Sequence, residues 1–463
     1  MNSLFSFTEP LDGTTNTPPP PTRFFRHIRS KRMSHLTRTA RWAIALAIFF
    51  LIGFPTTFGQ TNKGGGGLPG DSLTVRTALD YAEASSPTLR AVKESIRALE
   101  AERRMSYGLP NPVVGYAEEG INPDASPAVA ERRWFVSQSF DFPLATYHRL
   151  DRYDREIEAL RYELEDARRT LKRDVKSVYA RLSYEIERTR LMRKNVELSK
   201  ALNKAMQTRL ELGDANELDA LNVEIRLAEA ENDLSVAERR LHVARYSLFE
   251  LIGLDPDEQS YSIFFPDSLS YFEYWIPQDA ILRRVKDQPA MNAARARLRA
   301  AGAEGSEATY SLFPDIEAAV FLQDFGAGFD NYGFEVGLEL PLWFFANESG
   351  AIERADAKRD LRFSEKEATK LRLKREIEVA WHSYETSKRY IDRFQGEINE
   401  KSQRLLDLMT RSFDVGKIDA LRLLETQRSY VDIQLKYYES LLDYYLRLID
   451  LERFLEDDVV FIQ

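Results

Sequence analysis

The side chains here that could do chemistry are carboxylates, basic groups and a few histidines, and their spacing is not that of an active site. The sequence holds no G-x-S-x-G, no Gly-Lys-Ser/Thr phosphate loop, no H-E-x-x-H and no dinucleotide fingerprint. His148, His242 and His382 stand far apart without metal spacing and read as helix-surface or interhelical contacts. Cysteine is absent, which excludes disulfides, thiolate metal sites, a cysteine nucleophile and a lipidated N-terminal cysteine. Neither an enzyme nor a cofactor is expected. Polar chemistry is placed instead at two turns and along one extended segment. Gly213 and Gly416 each suit a left-handed helix cap, and Asn216 and Asp419, three residues later, can accept hydrogen bonds from the first free N–H groups of a following helix. Along 332–340, Tyr332, Phe334, Val336, Leu338 and Leu340 fall on one face, with Gly333, Glu335, Gly337 and Glu339 on the other.

The first of these turns ends a very long element. From 145 to 212 there is neither glycine nor proline, residues that cost a helix interior about 1 and 3 kcal/mol. The stretch reads as one helix about 100 Å long. Its apolar residues, from Ile157, Leu160 and Leu164 to Leu182 and Ile186, recur in steps of three and four that face a neighbouring helix. A return helix is expected over Glu217–Ile252. Ahead of the rod come a capped helix after Ser72, a second opened by Ser86-Pro87, and extended segments at 112–119 and 133–142. The aromatic stretch 253–275, with Pro256 and Pro266, reads as irregular chain packed on helices, and Tyr437, Tyr438, Tyr444 and Tyr445 as interhelical packing.

The punctuation then repeats. Pro87, Pro112 and Pro143 recur as Pro289, Pro314 and Pro341 at offsets of 202, 202 and 198, and the turn glycines are 203 apart. This is an internal duplication in which each half runs helix, strand, strand, very long helix, turn, helix. Four regions follow: an N-terminal extension and signal peptide (1–59), a flexible spacer (60–71), a first repeat (72–275), and a second repeat with a C-terminal tail (276–463). The signal peptide is read from Arg38 and Arg41, the apolar run 42–54, and small residues before a cut at Gln60; Met33 is an alternative start. The net charge of −9 becomes more negative without residues 1–59, so nucleic acid is not an expected partner.

A strand with large apolar groups on one side and acid or glycine on the other separates two different media, and its length is that of a membrane β-strand. Four strands cannot close a barrel, and an open edge is not tolerated in lipid. Twelve strands from three chains is the simplest closure that leaves a lumen.

At this point the chain resembles the TolC-like outer-membrane efflux family. The resemblance covers roughly 72–455 and is carried by the repeated element order and by two turns, Leu212-Gly213-Asp214-Ala215-Asn216-Glu217-Leu218 and Val415-Gly416-Lys417-Ile418-Asp419-Ala420-Leu421. It implies a mostly α fold with a small membrane β part: a trimeric 12-stranded outer-membrane β-barrel continued by a long periplasmic α-helical barrel, with the glycine turns at the far tip. In this family inward-facing acids six and nine places after the second glycine close the tip. Those places hold Arg422 and Glu425 here, with Asp219 and Asn222 at the same offsets in the first repeat. Arg422 departs from the acidic pattern, and it is expected to pair with Asp219 or Glu425 of a neighbouring helix. The segment 341–350 resembles the strand-to-helix junction of the branch serving metal-ion RND pumps. Tyr332, Phe334, Val336, Leu338 and Leu340 would face outer-membrane lipid, and Glu335 and Glu339 the lumen. The implied partners are two further copies in a homotrimer, a periplasmic adaptor (membrane fusion) protein and an inner-membrane pump of RND type. Two rivals stand beside the passive efflux duct: the duct of a type I protein secretion system, and a secreted coiled-coil scaffold with no pore.

Overall fold

The computed structural model describes residues 72–122, 129–255, 263–326, 328–345, 347–394, 398–455 and 460. All belong to one unit, 66–463. The expected signal peptide, the spacer and part of the 253–275 segment lie outside the described residues. So does Ala346 of the 341–350 junction.

Local chemistry sets the helix starts. Thr74 caps α1 (Val75–Ser85) in a capping box with Thr77, and Ser86 caps α2 (Pro87–Met105), whose proline occupies the first turn where no N–H is needed. Strands β1 (Val113–Glu119) and β2 (Glu131–Phe140) follow. The rod α3 (Pro143–Glu211) is a single helix of 69 residues, and α4 (Glu217–Ile252) returns along it. The second half opens with a short helix α5 (Gln278–Arg283) and a 3₁₀ turn (Arg284–Asp287). It continues through α6 (Pro289–Tyr310), β3 (Asp315–Asp324) and β4 (Asn331–Glu339) to α7 (Glu348–Arg393), α8 (Asn399–Asp414) and α9 (Ala420–Glu452).

The second rod is described as α7 and α8, and residues 395–397 between them lie outside the described residues. One feature differs from the sequence expectation: strand β2 ends earlier, because Phe142 leaves the sheet, its N–H donating to Asp315 Oδ1 (2.7 Å) and its ring stacking on Phe313 at 4.8 Å.

The strands form one antiparallel sheet in the order β1-β2-β3-β4, so the two repeats join at β2–β3 and β1 and β4 are the free edges. Among the described residues no helix is long and apolar enough to cross a membrane. The main core lies midway along the helices, where α1, α3, α4, α7 and α9 surround the chain from Ile263 to Val285. Two smaller apolar clusters continue toward the turns, the outer one joining Leu202, Met206 and Val223 to Phe413, Ala420 and Leu423.

Candidate functional site

Register in the sheet decides which side chains share a face. Val114, Val136, Val320 and Phe334 form one cross-strand row, and Tyr116, Trp134, Leu322 and Tyr332 the next. Tyr116 and Trp134 rings lie 4.8 Å apart. This face is apolar and open: Tyr332 is 87% exposed, Phe334 78% and Val336 65%, with Leu338 and Leu340 also exposed. A face of this size bared to water is unusual for a soluble protein.

The opposite face is of another kind. Gly115, Phe135, Phe321 and Gly333 make one row, and Val113, Ser137, Ala319 and Glu335 another. The Phe135 ring covers the Cα of Gly115 and the Phe321 ring that of Gly333, so a Cβ at either glycine would overlap a ring. The Arg133 guanidinium sits over both rings, 5.7 Å from the Phe135 centroid and 5.5 Å from that of Phe321. Gln323 donates to Glu131 (2.6 Å), and Glu339 pairs across the ladder with Asp315. The alternation in β4 made Glu335 and Glu339 visible in the sequence. The arginine on two rings was not, and its one signal was a strand glycine opposite an aromatic residue in each half.

Ion pairs fasten the sheet to the rods. Arg149 of α3 binds Asp141 (2.6 Å) and Glu307 of α6 (2.8 Å), Arg152 binds Glu307 (3.2 Å), and His148 stacks on Tyr310 at 5.1 Å. Midway along, tyrosines hold the irregular chain by its carbonyls. Tyr444 donates to Phe272 O (2.8 Å), Tyr445 to Ser270 O (2.6 Å), and Tyr384 to Tyr274 O. Lys176 of α3 meets Glu452 of α9 at 2.8 Å with both side chains buried, and Glu452 also accepts from Val460 N–H. Sequence alone gave no signal for that pair, since charges on helices usually face water.

At the far end, Gly213 (φ 78°) and Gly416 (φ 72°) adopt the left-handed conformation. The N–H after each glycine bonds five residues back, Asp214 to Arg209 O and Lys417 to Ser412 O, which closes a Schellman cap. Asn216 accepts from Leu218 N–H (3.1 Å) and Asp419 from Arg422 N–H (2.9 Å). The two hairpins are tied together by Arg209, which donates to Phe413 O (2.9 Å) and lies over the Phe413 ring at 4.3 Å. Asn222, Arg422 and Glu425 are exposed and Asp219 is partly so. Among the described residues Arg422 stands in no ion pair within the chain. No group of three or more His, Asp or Glu fit to hold a metal occurs among the described residues.

An open four-stranded sheet, apolar on one side and polar on the other, set on two helical hairpins related by duplication, is one half-familiar pattern repeated. Residues 78–254 and 280–455 each match the outer membrane efflux protein family, one segment per repeat. The chain belongs to that family. Its fold is that of the TolC-like channels: it superposes on the outer membrane protein VceC of Vibrio cholerae with a TM-score of 0.69, over 82% of this chain and 95% of that one, at 16% identity. In sequence it is 26% identical over 291 residues to the pyoverdine export outer membrane protein OpmQ of Pseudomonas aeruginosa. That match takes in 59% of this chain and 58% of OpmQ, so the chain spans less than two thirds of that relative's length. It is 20% identical to the cobalt-zinc-cadmium resistance protein CzcC of Cupriavidus metallidurans, over 79% of this chain and 85% of that protein.

Proposed function

We propose that this protein is the outer-membrane exit duct of a tripartite efflux system, passively conducting small solutes or ions that an inner-membrane pump and a periplasmic adaptor deliver to it. The observation that carries the reading is the sheet: two free edges and one exposed apolar face. A bilayer core offers no water to unpaired strand edges, so the edges must be met by other strands. Three copies joined β4 to β1 give twelve strands, with Tyr332, Phe334, Val336, Leu338 and Leu340 toward lipid and Glu335 and Glu339 toward the lumen. The rods then reach about 100 Å into the periplasm, and the turns at Gly213 and Gly416 become the tip on which the adaptor seats.

No nucleotide motif is present, so the energy comes from the pump. Asp219, Asn222, Arg422 and Glu425 are the proposed gate, with Arg422 bridging to Asp219 or Glu425 of a neighbouring copy. The names of OpmQ and CzcC speak of pyoverdine export and of metal resistance. Both favour solute cargo over the protein cargo of a type I system. The test is extraction and conductance. The protein should require detergent for release from the outer membrane and open ion-conducting pores in planar bilayers. Release as a soluble periplasmic protein without pore activity would remove the reading in favour of a scaffold.

A further inference from the structure

We propose that Arg133, laid across the rings of Phe135 and Phe321, is a weak binding station for planar aromatic anions on their way through the barrel. This rests on the exit-duct reading, which makes the polar face of the sheet the lumen wall and sets three such stations at one height.

The row Gly115, Phe135, Phe321, Gly333 fixes the platform. Because neither glycine has a Cβ, each ring lies down on the neighbouring strand and does not stand away from the sheet. The lumen is thereby left wide at this level and lined with flat aromatic surface. Arg133 then lies over both rings, 5.7 and 5.5 Å from their centroids, a cation–π arrangement that orients the guanidinium without using its N–H groups.

Those N–H groups are unspent. Glu119 and Glu335 approach no closer than 4.0 Å, beyond hydrogen-bond distance, and Nε is buried with no hydrogen-bond partner among the described residues. An arginine carries five donors in a planar fork that matches a carboxylate or sulfonate edge, and polar groups held from water are ordinarily partnered. A ligand with an anionic edge and an aromatic body meets both parts of the station, the fork and the rings. Among the strand residues of this face Arg133 is the one base; Glu119, Glu131, Asp315, Glu317, Glu335 and Glu339 are acids. Their field opposes an anion and keeps its stay short, which suits a conduit, where binding must be weak enough to permit release.

The experiment uses the full protein, purified from outer membrane in detergent and inserted in planar bilayers at low ionic strength, with 1-naphthoate as probe and acetate as control. Naphthoate is expected to reduce the open-channel current and acetate not to. Arg133→Gln should raise the half-blocking concentration about tenfold, the scale of a charged hydrogen-bonding contact. Phe321→Leu, which keeps the charge and removes a ring, should raise it as well, and it carries the comparison if Arg133→Gln does not assemble. Arg133→Lys should fail to restore block, since an ammonium lacks the planar fork. Equal naphthoate block in wild type, Arg133→Gln and Phe321→Leu, or acetate block as strong as naphthoate block, overturns the station while leaving the duct intact. A preparation that opens no pores in any form removes the duct reading and the station with it.

Discussion

Tyr445 and its neighbours show how single hydroxyls tie the middle of this protein together. Each phenol is buried against helices and spends its O–H on a carbonyl of the 270–274 chain. Burial pushes the Tyr184 phenol up to about 12, with Glu439 adding to it, and moves Tyr179, Tyr444 and Tyr445 further in the same direction. The fold therefore holds the neutral phenols, whereas an unfolded chain ionises near pH 10. Stability should be complete below pH 10 and fall as pH rises from there through 12. Thermal unfolding followed at pH 8, 10 and 11.5 checks this, and a midpoint unchanged across the series would refute it. Tyr445→Phe removes the hydrogen bond to the Ser270 carbonyl, which is part-buried, and should cost about 0.5–1.5 kcal/mol, seen as a lowered unfolding midpoint. Lys176 and Glu452 behave differently, because removing one partner leaves a buried charge. Glu452→Gln should cost about 3–5 kcal/mol, and a joint replacement of both by apolar residues of similar volume much less; denaturation of the single and double variants measures the difference.

Among the elements, the turns depend on backbone conformation more than on contacts. A Cβ at Gly213 or Gly416 would meet nothing within 4 Å, so only the positive φ opposes alanine there. Gly213→Ala and Gly416→Ala should each cost about 1–2 kcal/mol and speed hydrogen exchange in the last turns before 213 or 416, while the middle core keeps its protection. Much of this level was legible in the sequence. The absence of glycine and proline gave α3 and α4, the recurrence of Pro87, Pro112 and Pro143 gave the duplication, and alternation gave β4. What stayed hidden depended on partners distant in sequence. Phe142 reads as strand until Phe313 and Asp315 take it. Lys176 carries no mark of burial in its own helix, and its partner Glu452 lies 276 residues away. Gly333 reads as a blank on the polar face until the Phe321 ring fills it. Helix α5 is too short for a period to show.

At the scale of the whole molecule, one chain presents half-finished surfaces: two sheet edges, an apolar sheet face and a set of exposed charges beside the turns. In the proposed trimer, Arg422 is the proposed partner of acids on neighbouring copies, a pairing that would hold the tip shut. Arg422→Ala and Glu425→Ala channels should then show higher open probability or altered ion selectivity in planar bilayers, and no change in either would discard the latch. Assembly itself is the more basic matter, since lumen, gate and adaptor grooves all follow from it. Native mass spectrometry of the protein extracted from outer membrane in detergent reads it directly. Particles of three chains that survive dodecyl sulfate until heated are the expected result, and a monomer that stays in solution without detergent would contradict the closed barrel and the export role built on it.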